Sequence, residues 1–158
     1  MARILIIGCG CRGHALSEAL IERGHAVRGT TRREHQLQAI EETGAEAVLA
    51  DPDRVATLAP ALANVGVVAV MLGSAQGTQA HLEALHGPRL QMLLTRVLDS
   101  PARGFLYEST GSVDDAVLSS GAQLVTQFCE RSRIPYKTVQ TEGHGTDTWV
   151  AAVDAVLG

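Results

Sequence analysis

Six residues near the amino terminus, Gly8-Cys9-Gly10-Cys11-Arg12-Gly13, have the composition and spacing of a loop that cradles a pyrophosphate. Each glycine answers a different need: Gly8 a tight turn, Gly10 the approach of backbone to phosphate, Gly13 the close packing of a helix on the preceding strand. The phosphates would rest on the free N–H groups at the positive end of that helix, so Cys9, Cys11 and Arg12 are expected beside the ligand. Roughly 20 residues further on, an NAD site would carry an acidic side chain for the ribose 2′-hydroxyl. This chain has Thr30 or Thr31 there instead, with Arg32 and Arg33 next. A hydroxyl next to guanidinium groups suits a 2′-phosphate, because guanidinium offers paired donors to phosphate oxygens. Cations at a helix start are mildly unfavourable without an anion to hold, which points the same way. The expected cofactor is NADP, with NAD the second choice. Asp51 stands where it could accept from an adenine amino group, although helix capping alone accounts for it. Leu72 and Gly73 leave a strand at the crevice where such ligands bind.

Candidates for chemistry on a substrate are fewer. Tyr107 falls at the end of an apolar strand, on the expected nicotinamide side, with Ser109 and Thr110 just beyond it and Glu108 between as an acid or base. Cys9 and Cys11 lie near a helix N-terminus, which favours a thiolate, but a bound pyrophosphate would oppose one. Both read more simply as small fillers of the loop's variable positions, and Cys129 as a packing residue. The polar loop Glu142-Gly143-His144-Gly145 could bring His144 to the crevice, a surface histidine being the plainer reading. His81 and His86 are five apart rather than three or four, so they do not share a helix face and no metal site is expected.

The elements that would position these residues follow from hydrophobic patterning. Ile4-Leu5-Ile6-Ile7 and Val65-Gly66-Val67-Val68-Ala69-Val70-Met71-Leu72 are apolar without alternation, as central parallel strands covered on both faces require. Ala15, Leu16, Ala19 and Leu20 give the first helix its apolar stripe, and Gly24 closes it. Strands are expected over residues 26 to 31, 45 to 50, 104 to 108 and 135 to 141, the last at an edge. Leu37 and Ile40 carry a short helix that Gly44 ends. Asp51 and Pro52 are expected to open a helix with Val55, Leu58, Ala59 and Leu62 buried. A helical stretch from Thr78 to Asp99 is broken or kinked at Gly87-Pro88. Ser112 reads as the N-cap of a helix to about Arg131, and Thr146 as the cap of a last helix with Trp149, Val150, Val153, Val156 and Leu157 on one face. Six strands alternating with helices make one doubly wound α/β Rossmann domain over residues 1 to 158, with a parallel sheet ordered 3-2-1-4-5-6 and helices on both faces.

Composition narrows the class. The 158 residues carry a net charge of −4 and no basic run, which argues against a nucleic-acid partner. No apolar stretch reaches membrane-spanning length and no signal peptide is evident, so a cytoplasmic location is expected, without a membrane partner. Three cysteines, two of them one residue apart, make no disulfide framework.

Four passages together resemble an extended or atypical short-chain dehydrogenase/reductase of the nucleotide-sugar epimerase and NmrA-like branch. They are the Gly8 to Gly13 loop, Gly29-Thr30-Thr31-Arg32, Ala50-Asp51-Pro52-Asp53 and Leu106-Tyr107-Glu108-Ser109-Thr110. The likeness covers the cofactor half of such proteins, which is nearly the whole chain, and implies their fold and NAD(P) binding. Members also use a Ser or Thr after the fifth strand and a Tyr-x-x-x-Lys pair, whose lysine lowers the tyrosine pKa for proton exchange with substrate. Ser109 or Thr110 matches the first. The pair has no match: the single lysine, Lys137, follows Arg133 by four positions, and Tyr107 is followed at that spacing by Gly111. At this length no substrate domain is expected to replace it.

Three readings follow. The first is a small NADP-binding protein without customary dehydrogenase catalysis, a sensor or a subunit that engages a protein partner through its helices. The second is an unorthodox oxidoreductase or epimerase that completes its site with Tyr107, Ser109 or a second subunit. The third is a structural interaction domain with no ligand. An open crevice is compatible with a homodimer.

Overall fold

In the computed structural model, which describes residues 1 to 141 and 145 to 158, the strand β1 (Arg3–Ile7) runs through the centre of the sheet. Its Ile4, Leu5, Ile6 and Ile7 are wholly buried, as an unalternating apolar strand must be. The loop residues Glu142, Gly143 and His144, and with them the expectation for His144, lie outside the described residues.

β2 (Ala26–Thr31) and β4 (Val67–Val70) flank β1. β3 (Glu46–Leu49) pairs outside β2, and β5 (Gly104–Glu108) then β6 (Tyr136–Val139) outside β4. All five pairings are parallel, so the six strands run 3-2-1-4-5-6, the doubly wound order expected from the sequence.

Side chains alternate across each strand and divide the core in two. Ile4 and Ile6 point to one face, where Leu16 and Leu20 of α1 (Cys11–Glu22) and Trp149 and Val153 of α6 (Thr146–Leu157) cover them. Leu5 and Ile7 point to the other, under Leu93 and Val97 of α4 (Pro88–Leu98) and Val125 of α5 (Asp115–Ser132). The smaller α2 (Leu37–Glu41) follows β2, and α3 (Gln79–Leu85) precedes α4. At about 25 cal/mol for each Å² of apolar surface removed from water, these two layers dominate the stability of the fold.

Several boundaries differ from the sequence expectation. No α-helix follows Asp51: the chain makes two 3₁₀ turns, Val55–Leu58 and Pro60–Leu62, because Pro60 has no N–H to continue a helical ladder. Asp51 instead accepts from the N–H of Asp53 at 2.9 Å, closing a local turn rather than capping a helix. The stretch from Thr78 to Asp99 is two helices, with Thr78 capping the first through the N–H of His81 and Pro88 opening the second. Asp114, not Ser112, caps α5, accepting from the N–H of Ala116 at 3.0 Å. Thr146 lies inside α6, whose N-cap is Gly145 with φ +59°, and Leu157 is exposed.

Candidate functional site

Where β1 and β4 diverge at their carboxyl ends, the topological switch point opens a cleft of about 320 Å³. The Gly8 to Gly13 loop forms its floor. Gly8 has φ +83°, and a Cβ there would lie 2.7 Å from the Met71 carbonyl oxygen, so the turn admits glycine only. A Cβ on Gly10 would meet nothing within 4 Å, leaving open space beside the backbone for a ligand. A Cβ on Gly13 would sit 3.0 Å from Cys9 Sγ, which holds α1 close against the strand. His14 donates to the Gly10 carbonyl at 2.8 Å, so the N–H groups of the preceding helical residues face out of the helix end. A pyrophosphate fits this cradle by shape and by its row of donors.

The two loop cysteines part company. Cys11 is exposed at the first position of α1. Cys9 lines the cleft, but its thiol turns inward to Ser17 at 3.9 Å, and burial pushes it up to about 11, far from a thiolate.

β2 delivers Thr30, Thr31, Arg32 and Arg33 to one wall. Thr31 Oγ1 donates to Gln36 Oε1 at 2.9 Å and accepts from the N–H of Arg33 at 3.1 Å, which fixes the chain's exit from the strand. Arg32 is partly exposed, its Nη1 3.9 Å from Asp53. Of the β3 exit, Ala50, Pro52 and Asp53 line the cleft, while the Asp51 carboxylate is engaged in its turn. Asp53 Oδ2 meets His81 Nε2 at 2.5 Å, joining the β3 exit to α3.

On the opposite wall Leu72 lines the cleft, but the Gly73 N–H turns to Glu108 Oε1 at 2.7 Å. Glu108 is wholly buried and is gripped by Arg12 with two guanidinium nitrogens, Nη2 to Oε1 at 2.9 Å and Nη1 to Oε2. Burial pushes the Glu108 carboxyl above its ordinary range, and the Arg12 charge and hydrogen bonds pull against that.

The other residues at the end of β5 are likewise occupied. Tyr107 is wholly buried on the α4 and α5 side and does not line the cleft; its hydroxyl lies 2.6 Å from His86 Nδ1. His86 Nε2 lies 3.1 Å from the Leu72 carbonyl, which can only accept, so Nε2 carries the proton and Tyr107 donates to Nδ1. Burial, and then the charge of Glu108, raise the Tyr107 hydroxyl above its usual value, while burial lowers His86. Ser109 donates to the Val139 carbonyl at 3.3 Å, and Thr110 to that of Thr141 at 3.1 Å.

Sequence reasoning thus placed the loop and the β2 exit at one cleft but did not find three pairs: Arg12 with Glu108, Asp53 with His81, and Tyr107 with His86. No local pattern marks contacts between residues 96, 28 and 21 positions apart.

A six-stranded doubly wound sheet with a glycine loop at its switch point defines a dinucleotide-binding Rossmann domain. The chain belongs to the NAD(P)H-binding family, whose model matches residues 8 to 138. It is similar to the 4-hydroxy-2-methyl-3-oxo-4-farnesyl-3,4-dihydroquinoline-1-oxide ketoreductase of Stigmatella aurantiaca, 29% identical over 120 residues, which are 75% of this chain and 35% of that protein. Among solved structures it resembles a short-chain dehydrogenase/reductase superfamily protein of Agrobacterium tumefaciens with bound NAD, at TM-score 0.67 and 22% identity over 87% of this chain and 48% of that one. The triphenylmethane reductase of Citrobacter sp. complexed with NADP(H) gives TM-score 0.67 and 15% identity, covering 87% and 49%. The chain thus spans about a third of the curated relative and about half of these structures. Neighbours with either nucleotide share the fold, which leaves the choice between NAD and NADP to the residues themselves. No helix among the described residues is long and apolar enough to cross a membrane.

Proposed function

We propose that the chain binds NADP(H) in this cleft and acts as a nucleotide-dependent sensor or partner-binding subunit rather than as a customary dehydrogenase. The pyrophosphate would lie on Gly10, Cys11, Arg12 and Gly13, and the 2′-phosphate against Thr31, Arg32 and Arg33. One observation carries the reading: every group at the end of β5 that could exchange a proton with a substrate already has a partner in the protein. Tyr107 donates to His86, Ser109 and Thr110 donate to backbone carbonyls, and Glu108 is held by Arg12. The dinucleotide, when bound, supplies hydride chemistry, but among the described residues at the end of β5 none stands ready to deliver the accompanying proton. On this reading residues 1 to 158 act as one cytoplasmic unit, able to pair as a homodimer.

Calorimetric titration with NADPH and NADH, on the native chain and on Arg32→Ala, tests it. Tighter NADPH binding that the substitution abolishes is the expected result. No binding of either nucleotide would overturn it and leave a structural domain.

The ketoreductase likeness favours a second reading, an NADP-dependent oxidoreductase or epimerase that completes its site with Ser109 or another subunit. Carbonyl-dependent loss of NADPH absorbance would favour that alternative.

A further inference from the structure

One carboxylate at the cleft wall gathers three basic side chains from three different elements. Asp53 Oδ2 meets His81 Nε2 on α3 at 2.5 Å and lies 3.9 Å from Arg32 Nη1 beyond β2; Oδ1 lies 4.0 Å from Arg89 Nε on α4. Only the histidine is within hydrogen-bond distance. Both guanidinium contacts are too long to be hydrogen bonds, and Arg89, whose side chain is 40% exposed, has its Nε buried without a hydrogen-bond partner among the described residues. The histidine is seated by the backbone beneath it: a Cβ on Gly77 would fall 2.0 Å from His81 Nδ1, so the ring rests where only glycine leaves room. Basic donors so arranged around a single small anion, and underfilled by it, fit a larger one. A phosphate monoester has three terminal oxygens about a tetrahedral centre and close to two negative charges, and can reach donors that a planar carboxylate cannot.

We infer that Asp53 is an internal counter-ion occupying the 2′-phosphate position, and that His81 and Arg89 join Arg32 in holding that phosphate. This rests on the NADP(H) reading and extends it to residues of α3 and α4. On binding, the phosphate takes these donors and Asp53, which sits on a partly exposed turn, gives way. The exchange keeps Arg32 beyond β2 joined to α3 and α4 through an anion in both states. NADP is then chosen over NAD by a net gain of contacts, because NAD has no group to replace Asp53. His81 and Arg89 are specificity residues in this scheme, with no part in moving hydride or proton.

Calorimetric titrations with NADPH, NADH, 2′-AMP and 5′-AMP on the native chain, Asp53→Asn, His81→Gln, Arg89→Gln and Arg32→Ala test this. Arg89→Lys accompanies them, because the buried Nε makes Arg89→Gln the substitution most prone to disturb folding, and a thermal melt is recorded for each. His81→Gln and Arg89→Gln should weaken NADPH and 2′-AMP about tenfold and leave NADH and 5′-AMP alone. Arg89→Lys should retain part of the preference, and Asp53→Asn should strengthen NADPH relative to NADH. Equal weakening of NADPH and NADH in folded His81 and Arg89 variants overturns the inference, as does an Asp53→Asn chain with an unchanged ratio. Loss of NADPH preference in Arg32→Ala alone would overturn this inference while sparing the NADP(H) reading. Failure of the native chain to bind any of the four overturns both.

Discussion

Arg12 and Glu108 join the first helix to the fifth strand beside the cleft, through a guanidinium that solvent reaches and a carboxylate that it does not. Removing the cation leaves a buried carboxylate with only the Gly73 N–H to compensate its charge. Arg12→Ala should therefore cost about 3 kcal/mol in urea unfolding, and adding Glu108→Gln to it should recover much of the loss. The pH dependence follows from the raised folded-state value of Glu108. Between the ordinary and the raised value the folded chain binds more protons, so stability is full below the ordinary carboxyl range and declines as pH rises through the raised one. Without Arg12 that window should extend to higher pH, which unfolding curves at a series of pH values will reveal.

Tyr107 and His86 form a structural pair, so Tyr107→Phe should lower stability by about 1 to 2 kcal/mol and leave NADPH affinity unchanged. A Cβ on Gly121 would fall 2.1 Å from the Tyr107 hydroxyl, so Gly121→Ala should destabilise the native chain more than the Tyr107→Phe chain. His86 is lowered from 6.5 by burial. Between its folded value and 6.5 the unfolded chain holds more protons, so stability should fall on acidification through that window. Replacing His86 with Gln should flatten this slope in acid titrations followed by circular dichroism.

Two loop glycines separate folding from binding. Gly10→Ala introduces a Cβ into open space, so thermal stability should hardly change while dinucleotide affinity falls about tenfold. Gly8→Ala forces a side chain into positive φ against the Met71 carbonyl and should cost about 2 kcal/mol or more. A chain in which both substitutions act alike in melting and titration would contradict this division.

The cysteines should react in order of exposure. Iodoacetamide should label Cys11 in the native protein, and Cys9 and Cys129, whose thiols burial pushes up to about 11 and about 12, only after unfolding. Because Cys11 lines the cleft, bound NADPH should slow its labelling, which mass spectrometry of tryptic peptides will measure.

The fold was legible because its signals are local. Ile4 to Ile7 and Val67 to Val70 declare central strands by being apolar throughout, and Gly24 and Gly44, both with positive φ, end their elements where turn chemistry says they must. Helix starts were legible only where a single capping side chain stood in view. Ser112 and Asp114 both precede this helix; the Asp114 carboxylate accepts from the Ala116 N–H at 3.0 Å, while the Ser112 N–H donates to Ser74 Oγ at 3.1 Å in another loop. Asp51 and Pro52 have the chemistry of a helix start, but Pro60 leaves too little uninterrupted chain for one. The cleft's glycines and arginines could be read from spacing. What occupies the end of β5 could not, since it depends on which way each side chain of a buried strand points and on partners that only the folded sheet brings within reach.

Trp149, the single tryptophan, lies under α6 in the layer that α1 and α6 share, wholly enclosed and absent from the cleft wall, with an indole N–H that no group among the described residues accepts. The molecule therefore carries its own optical gauge of intactness, deaf to what happens at the nucleotide end. Intrinsic emission should shift when the α1 and α6 layer comes apart and stay constant as the cleft fills, so loss of binding and loss of structure can be told apart in one cuvette.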